Sequence, residues 1–364
     1  MMKELYEYAA EHDADFVKSD FDVFSTLDDG QRIFLRYSLG KYSGVKYNTC
    51  ISSKEYVRSR QTIDVFIWNG IYKKEFLLAN NIRFQETPGA AFQDCGFRYQ
   101  VALHVRRGFF LDKSFYRYRR DNIGSSTYNK KCVLFNLAEA KNLVRLLQES
   151  DITDRASASY LAREIAIIAD APYVELLMWN EPAEETYQAL KEFSDILNGF
   201  IKSGVLNPLT VTGDLWLRIK LLTEDVELYD AYAHMKAKAS VEVIKTFLQS
   251  LSGKKQIVLF GSGQIGTAAY CMLRLNGMRN IVAFCDNNED KWNSLYMGCP
   301  IQPLQSVREQ YPDAHYVITI SAPYADDIRK QLEECGVKEE QISTYSLSTY
   351  PLDCTNKVMS SCLY

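Results

Sequence analysis

The spacing of apolar and polar positions predicts a short amphipathic helix over residues 3 to 11, followed by a strand over Asp15 to Phe24, where DFVKSDFDVF alternates with period two. Beyond it the pattern loosens into polar turns. Phe66 to Leu78 reads as a strand or turn that runs into a short helix, and the loop from Phe84 to Gln93 carries Pro88 and Gly89. A second helix is expected over about Asp94 to Arg106, stopping at Gly108. The aromatic run FFLDKSFYRYR then alternates as a strand that ends at Arg119. From Leu134 to about Ala239 the period turns helical, with Tyr187, Leu190, Phe193, Leu197, Phe200 and Ile201 on one helix face and breaks at Pro172, Pro182 and Pro208. This stretch reads as a helical packing layer. The residues from Pro351 onward read as an irregular tail.

Length argues for more than one core, because 364 residues exceed the roughly 250–300 at which a single core stops growing. A net charge of −4 provides no overall positive field for nucleic acid or an anionic membrane. The nine cysteines are odd in number and form no C-x-x-C pair, so they read as reduced thiols. The four histidines share no ligand spacing with them, and no Cys/His metal site is expected. The first residues lack a signal peptide's apolar core, and the most apolar run, Ile165 to Trp179, is interrupted by Asp170, Pro172 and Glu175. A cytoplasmic protein without a transmembrane segment is expected, with peripheral association at the inner membrane face left open.

The strongest local signal lies near the C-terminus. An apolar strand, Gln256 to Phe260, runs directly into Gly261-Ser262-Gly263-Gln264-Ile265-Gly266 and a helix, and the next strand, Ile281 to Cys285, ends in Asp286, twenty residues after Gly266. Physically, Gly261 allows the tight turn, Gly263 lets a pyrophosphate approach the backbone, and Gly266 lets helix and strand pack closely. Phosphate would sit at the helix N-terminus, with Asp286 accepting from a ribose hydroxyl and favouring NAD over its 2′-phosphorylated form. The competing reading is a strand-turn-helix of an unoccupied fold. After the strand His315 to Ser321 there is no Tyr-x-x-x-Lys pair or paired His and carboxylate to carry redox chemistry.

This segment, with Cys285-Asp286-Asn287-Asn288, Lys291-Trp292 and Gly298-Cys299-Pro300-Ile301, resembles the small Rossmann-like domains appended to bacterial sugar-processing enzymes. The first 130 residues carry a second resemblance, through three ordered strings. They are Trp68-Asn69-x-x-Tyr72-Lys73-Lys74-Glu75-Phe76 with Asn81-Ile82-Arg83-Phe84, then Glu86-Thr87-Pro88-Gly89-Ala90-x-Phe92-Gln93-Asp94-x-Gly96-Phe97, then Tyr116-Arg117-Tyr118-Arg119-Arg120-Asp121-Asn122-x-x-Ser125-Ser126. This succession resembles the acceptor half of family 2 glycosyltransferases with the GT-A fold.

That resemblance implies that Asp94, the second member of an acidic dipeptide whose first member is Gln93 here, is the general base of an inverting transfer. The residue-level alternative is a helix N-cap. Trp68 and Glu86 are implied on the substrate side. Arg117 and Arg119 either steady a leaving diphosphate or form a solvated strand face. The resemblance places the family's donor strand and metal-binding Asp-x-Asp upstream of residue 1. The chain is therefore expected to transfer no sugar alone, with a partner chain supplying that half and Mn or Mg entering only with it. Asp20-Phe21-Asp22 has the right letters but sits within the alternating strand and reads as a polar strand face.

The resulting expectation is an α/β protein. It has a partial GT-A-like α+β region at 1–130, a helical connector at 131–239, a Rossmann-like parallel sheet at 240–350 and a tail at 351–364. The leading function is inverting transfer of a sugar from a nucleotide-sugar donor to a glycan acceptor in a bacterial polysaccharide pathway. The alternatives are a non-catalytic nucleotide or nucleotide-sugar binding module and an NAD-dependent oxidoreductase. The cofactor-binding set is Gly261, Ser262, Gly263, Gln264, Ile265, Gly266 and Asp286, taking NAD or a nucleotide-sugar.

Overall fold

The computed structural model describes residues 1–27, 29–58, 66–86, 92–122, 129–149, 154–178, 181–211 and 213–347. Thr87 to Ala90, Ser125 and Ser126, all quoted above, lie outside the described residues, as does the tail from Pro351. The chain divides into two compact units. The first takes in Met1–Val23, Arg36–Tyr118 and Asn122–Lys238; the second takes in Phe24–Leu35, Arg119–Asp121 and everything from Ala239 on.

The opening helix α1 (Met2–Glu11) and strand β1 (Phe16–Thr26) form where the pattern predicts them. Leu5 turns inward against Ala14, Val17, Phe109 and Leu111, closing a small apolar cluster. The polar turns expected after β1 instead contain strand β2 (Arg32–Tyr37), followed by the short helices α2 (Leu39–Ser43) and α3 (Ser53–Arg58). Strand β3 (Gly70–Tyr72), helix α4 (Lys74–Ala79), helix α5 (Gln93–His104) and strand β4 (Gly108–Arg119) follow. The sheet runs β2-β1-β3, with β4 also paired to β1, and the β1–β3 pairing is antiparallel with Phe16 opposite Tyr72.

Asp20 explains why β2 and its neighbours fold onto β1. Its side chain is completely buried and accepts from Arg36 Nε (3.1 Å) and Nη2 (3.0 Å), from Leu39 N–H (2.9 Å) and from the Tyr47 hydroxyl (2.8 Å). Asp22 accepts from Ser114 Oγ at 2.6 Å. Asp20 and Asp22 thus form a polar strand face, one whose carboxylates are paired within the fold. This face does not fit a divalent cation, because the Asp20 oxygens are occupied by donors that hold the fold together.

The helical layer consists of α6 (Cys132–Glu149), α7 (Arg155–Leu177), α8 (Thr186–Lys202), α9 (Gly213–Glu224) and α10 (Val226–Leu251). Asp154 starts α7 by accepting from the N–H groups of Ala156 (3.0 Å) and Ser157 (3.1 Å), satisfying donors that a helix start leaves orphaned. Pro182 and Pro208 fall between helices, but Pro172 lies inside α7 rather than breaking it. Pro172 removes one intrahelical donor. The buried Ala169, Tyr173 and Leu176 on either side fix that turn by packing. Helix α6 packs against α5 and α7, and α7 against α3, and α6 to α9 lie in the first unit with β3 and most of β1 and β4. The ion pair of Arg98 on α5 with Glu164 on α7, both about 5% exposed, ties two of these layers together.

In the second unit β5 (Ile257–Phe260), α11 (Gln264–Leu275), β6 (Ile281–Cys285), β7 (Leu295–Tyr296), β8 (Cys299–Gln302), α12 (Leu304–Gln310), β9 (His315–Ile318), α13 (Ala322–Glu334) and β10 (Ile342–Thr344) follow in order. Strands β5 and β9 are buried at every position, as expected of parallel strands covered on both faces. The sheet order is β10-β9-β5-β6-β8-β7, parallel except for β7 against β8. From β5 the chain builds outward through β6 and β8, then returns to the other side of β5 with β9. The order thus reverses between β5 and β9, and ligands of such doubly wound sheets bind in the crevice at that reversal.

Candidate functional site

The crevice at the β5–β9 reversal is a cleft of about 540 Å³ lined by Gly261 to Ile265, Asp286, Lys291, Thr319 and Ile320. The three fingerprint glycines have separate reasons to lack a side chain. Gly261 has φ +116°, and a Cβ there would lie 2.8 Å from the Thr319 carbonyl oxygen. At Gly266 a Cβ would lie 2.0 Å from the Gly261 carbonyl oxygen, so α11 and the turn after β5 touch backbone to backbone. Gly263 differs. A Cβ there would meet nothing within 4 Å, and its φ of −91° is open to any residue. The fold requires glycine at 261 and 266 but not at 263, which lies on the cleft wall.

The turn is fixed from three strands. Gly261 N–H donates to the Cys285 carbonyl at 2.7 Å, and Thr319 Oγ1 lies 2.9 Å from the Phe260 carbonyl and 2.8 Å from that of Gly261. Asp286, at the end of β6, accepts at Oδ2 from Ser262 N–H (3.0 Å), Ser262 Oγ (2.5 Å) and Lys291 Nζ (2.9 Å), and at Oδ1 from Asn288 N–H (3.0 Å). Burial pushes this carboxyl upward, but the hydrogen bonds from Lys291, Ser262 and Asn288 outweigh it and hold the pKa at about 2. Asp286 is thus ionised across the physiological range, with its oxygens already in use.

Sequence reasoning placed Gly261 to Gly266 and Asp286 together, and the structure brings them to one cleft apart from Gly266, which sits just behind it in the helix–turn packing. It assigned no role to Lys291, Thr319 or Ile320. The signal for the last two is the end of the strand His315 to Ser321, since the strand that returns beside the first flanks the reversal point of a doubly wound sheet.

In the first unit Asp94 is the second residue of α5, entered from Phe92 in the left-handed region at φ 63°. Burial raises its pKa, against the pull of Arg98, the N–H groups of Asp94 itself and Cys95, and Lys18. Cys95 beside it is pushed up to about 12 by burial and remains a thiol. Behind it, burial, aided by the Asp94 charge, pushes Glu139 up to about 7 despite hydrogen bonds from Asn142 and the Gly96 N–H.

Trp68 lies in an aromatic cluster with ring centroids 4.5 Å from Tyr116, 4.7 Å from Tyr118 and 4.7 Å from Phe21. Successive residues of a strand face opposite ways, so Arg117 leaves β4 on the face away from Trp68. Arg119 lies in the second unit, where Nε donates to Asp121 Oδ1 at 2.7 Å. Glu86 is exposed and lines a separate pocket of about 330 Å³ with Arg83, Gln100 and Arg145. Within the first unit, Trp68 and Glu86 thus have different surroundings, the aromatic cluster and the pocket beside Arg83.

Glu139 offers a test of the burial around Asp94. Its folded pKa of about 7 lies above the ordinary 4.5, so the folded state holds its proton more tightly than the unfolded chain does. The stability gained is full below about pH 4.5 and is lost as pH rises through about 7, a change of roughly 3 kcal/mol. Urea unfolding at pH 4.5 and pH 8 is expected to show this loss in the native protein and much less of it in Glu139→Gln. Equal pH dependence in both would place the titration elsewhere.

These features define an α/β protein whose second unit has a doubly wound sheet with a cleft at its strand reversal. Residues 253–343, about a quarter of the chain, match the family described as C2185-like, N-terminal. No curated protein sequence matches the chain. Among solved structures, S. aureus TarS 1-349 in complex with UDP-GlcNAc is similar at 14% identity and a TM-score of 0.40, over 66% of this chain. The chain spans 63% of that structure, less than two thirds of its length. Among the described residues no helix is long and apolar enough to cross a membrane.

Proposed function

We propose that the second unit binds a nucleoside diphosphate compound and that the first unit carries the acceptor side of an inverting nucleotide-sugar glycosyltransferase. The observation that supports the binding reading most is the division among the glycines. Folding accounts for Gly261 and Gly266, whereas Gly263 is left open on the wall of the cleft at the strand reversal. A bare backbone beside the start of α11 suits close approach of a diphosphate. Titration of the full chain with nucleotides tests it, and binding without turnover even after a donor-binding segment is joined would favour a non-catalytic module.

The transferase reading is supported by the ordered strings of the first 130 residues and by the setting of Asp94. In the reaction proposed, the acceptor hydroxyl oxygen forms its bond to the anomeric carbon as its proton passes to Asp94. The carbon–oxygen bond to the diphosphate breaks, and the nucleoside diphosphate leaves with the bonding pair. Burial around Asp94 raises its affinity for that proton above that of an ordinary aspartate, the direction that strengthens a general base. In a protein joined to a donor-binding segment and supplied with manganese, Asp94→Asn is expected to lower turnover by ~10²–10⁴ while donor affinity holds. Turnover near the native rate would return Asp94 to helix capping.

A further inference from the structure

The segment from Asp286 to Trp292 is locked by bonds within the second unit, and nearly every residue that makes one is committed. Asn288 accepts from Asp290 N–H at 3.0 Å, Trp292 Nε1 donates to the Asp286 carbonyl at 2.6 Å, and Asn287 and Gln331 exchange two amide hydrogen bonds of 2.9 and 3.1 Å. Ser294 Oγ closes the turn on the Lys291 carbonyl at 2.5 Å. The Asp286 carboxylate takes three donors at Oδ2 and one at Oδ1. Each carboxylate oxygen offers about two lone-pair sites, so Oδ2, the oxygen that faces Ser262 and Lys291, has no capacity left for a ribose hydroxyl.

Lys291 is different. Its ammonium has three donors, one of which goes to Asp286, and its side chain is 39% exposed on the cleft wall. An ion pair that exposed contributes little to folding, so stability alone does not account for a turn this firmly tied around it.

Resting on the nucleotide reading above, we infer that Lys291 is the phosphate-contacting residue of the cleft and that Asp286 positions it instead of binding ribose. The cleft then recognises the anionic part of its ligand, with the ammonium on one side and the bare backbone at Gly263 on the other. A charge-assisted contact to phosphate is about twice as strong as a neutral one, which makes it the main source of selectivity over unphosphorylated nucleosides.

The test is calorimetric titration of the full chain with UDP, ADP, uridine, adenosine and inorganic pyrophosphate. Lys291→Met is expected to weaken diphosphate binding ~10–100-fold and to leave any nucleoside binding unchanged. Lys291→Arg is expected to restore part of the affinity, and added salt to weaken the native protein more than Lys291→Met. Asp286→Asn, which keeps the shape but frees the ammonium, is expected to weaken diphosphates while sparing nucleosides. If the native protein binds UDP or ADP and Lys291→Met binds them equally well, this role for Lys291 is overturned while the nucleotide reading stands. Equal loss for nucleosides and diphosphates would also overturn it, by showing a general disturbance of the cleft. If no probe binds the folded native protein, both readings fall together.

Discussion

Gly263→Val is expected to abolish nucleotide binding while leaving the protein folded. The added side chain meets no protein atom within 4 Å of its Cβ and needs no unusual backbone angle, so its bulk projects into the cleft. The folding cost is that of a poorer residue at the start of α11, about 1 kcal/mol or less. The binding cost is the loss of backbone approach by a diphosphate, expected to exceed ~100-fold in Kd, or about 2.7 kcal/mol. Thermal unfolding and calorimetric titration on the same preparation separate the two. A variant that binds UDP or ADP as the native protein does would show that the opening at Gly263 is not where the ligand lies.

Gly266→Ala should do the reverse and strike the fold directly. Its Cβ would lie 2.0 Å from the Gly261 carbonyl oxygen and 3.1 Å from the Gly261 carbonyl carbon, both backbone atoms that cannot rotate aside. Relief requires α11 to move off the turn that Gly261 N–H fixes to β6 and Thr319 Oγ1 fixes to the end of β9. Overpacking of a tight core site costs about 1–3 kcal/mol, and a backbone clash this close belongs at or beyond the upper end. The urea midpoint of the second unit's transition is expected to fall accordingly. A midpoint unchanged from the native protein would mean that helix and turn are less tightly packed than the 2.0 Å approach requires.

The contrast between these glycines shows what was legible in the sequence. The second unit could be read because its signals are local: apolar strands bounded by turns, a glycine spacing fixed by one strand-turn-helix, and Asp286 at the end of the next strand. Which glycine serves the fold and which the ligand was expected from motif logic, and the Cβ positions give that expectation its physical content at 261, 263 and 266.

What was missed depends on partners far away in the chain. Strand β2 was hidden because its place is set by Arg36, Leu39 and Tyr47 converging on buried Asp20, and no periodicity encodes that meeting. Local rules predict a break at Pro172 because they disfavour proline inside a helix, and tertiary packing of Tyr173 and Leu176 overrides that local cost. Lys291 is visible as a letter in the motif, but the role inferred for it follows only from the donors gathered on Asp286 Oδ2 beside it. In the first unit the strings point to Asp94 by resemblance alone, and strand alternation sends Arg117 away from Trp68.

The most direct measurement is calorimetric titration of the full chain with NAD, NADP, UDP-GlcNAc and a CDP-sugar, run beside Gly263→Val. The expected result is saturable binding of at least one of these nucleoside diphosphate compounds by the native protein, absent from the variant at equal concentration. Failure of all four to bind at millimolar concentration to protein shown to be folded would contradict the central claim, leaving the glycines of the second unit as architecture alone.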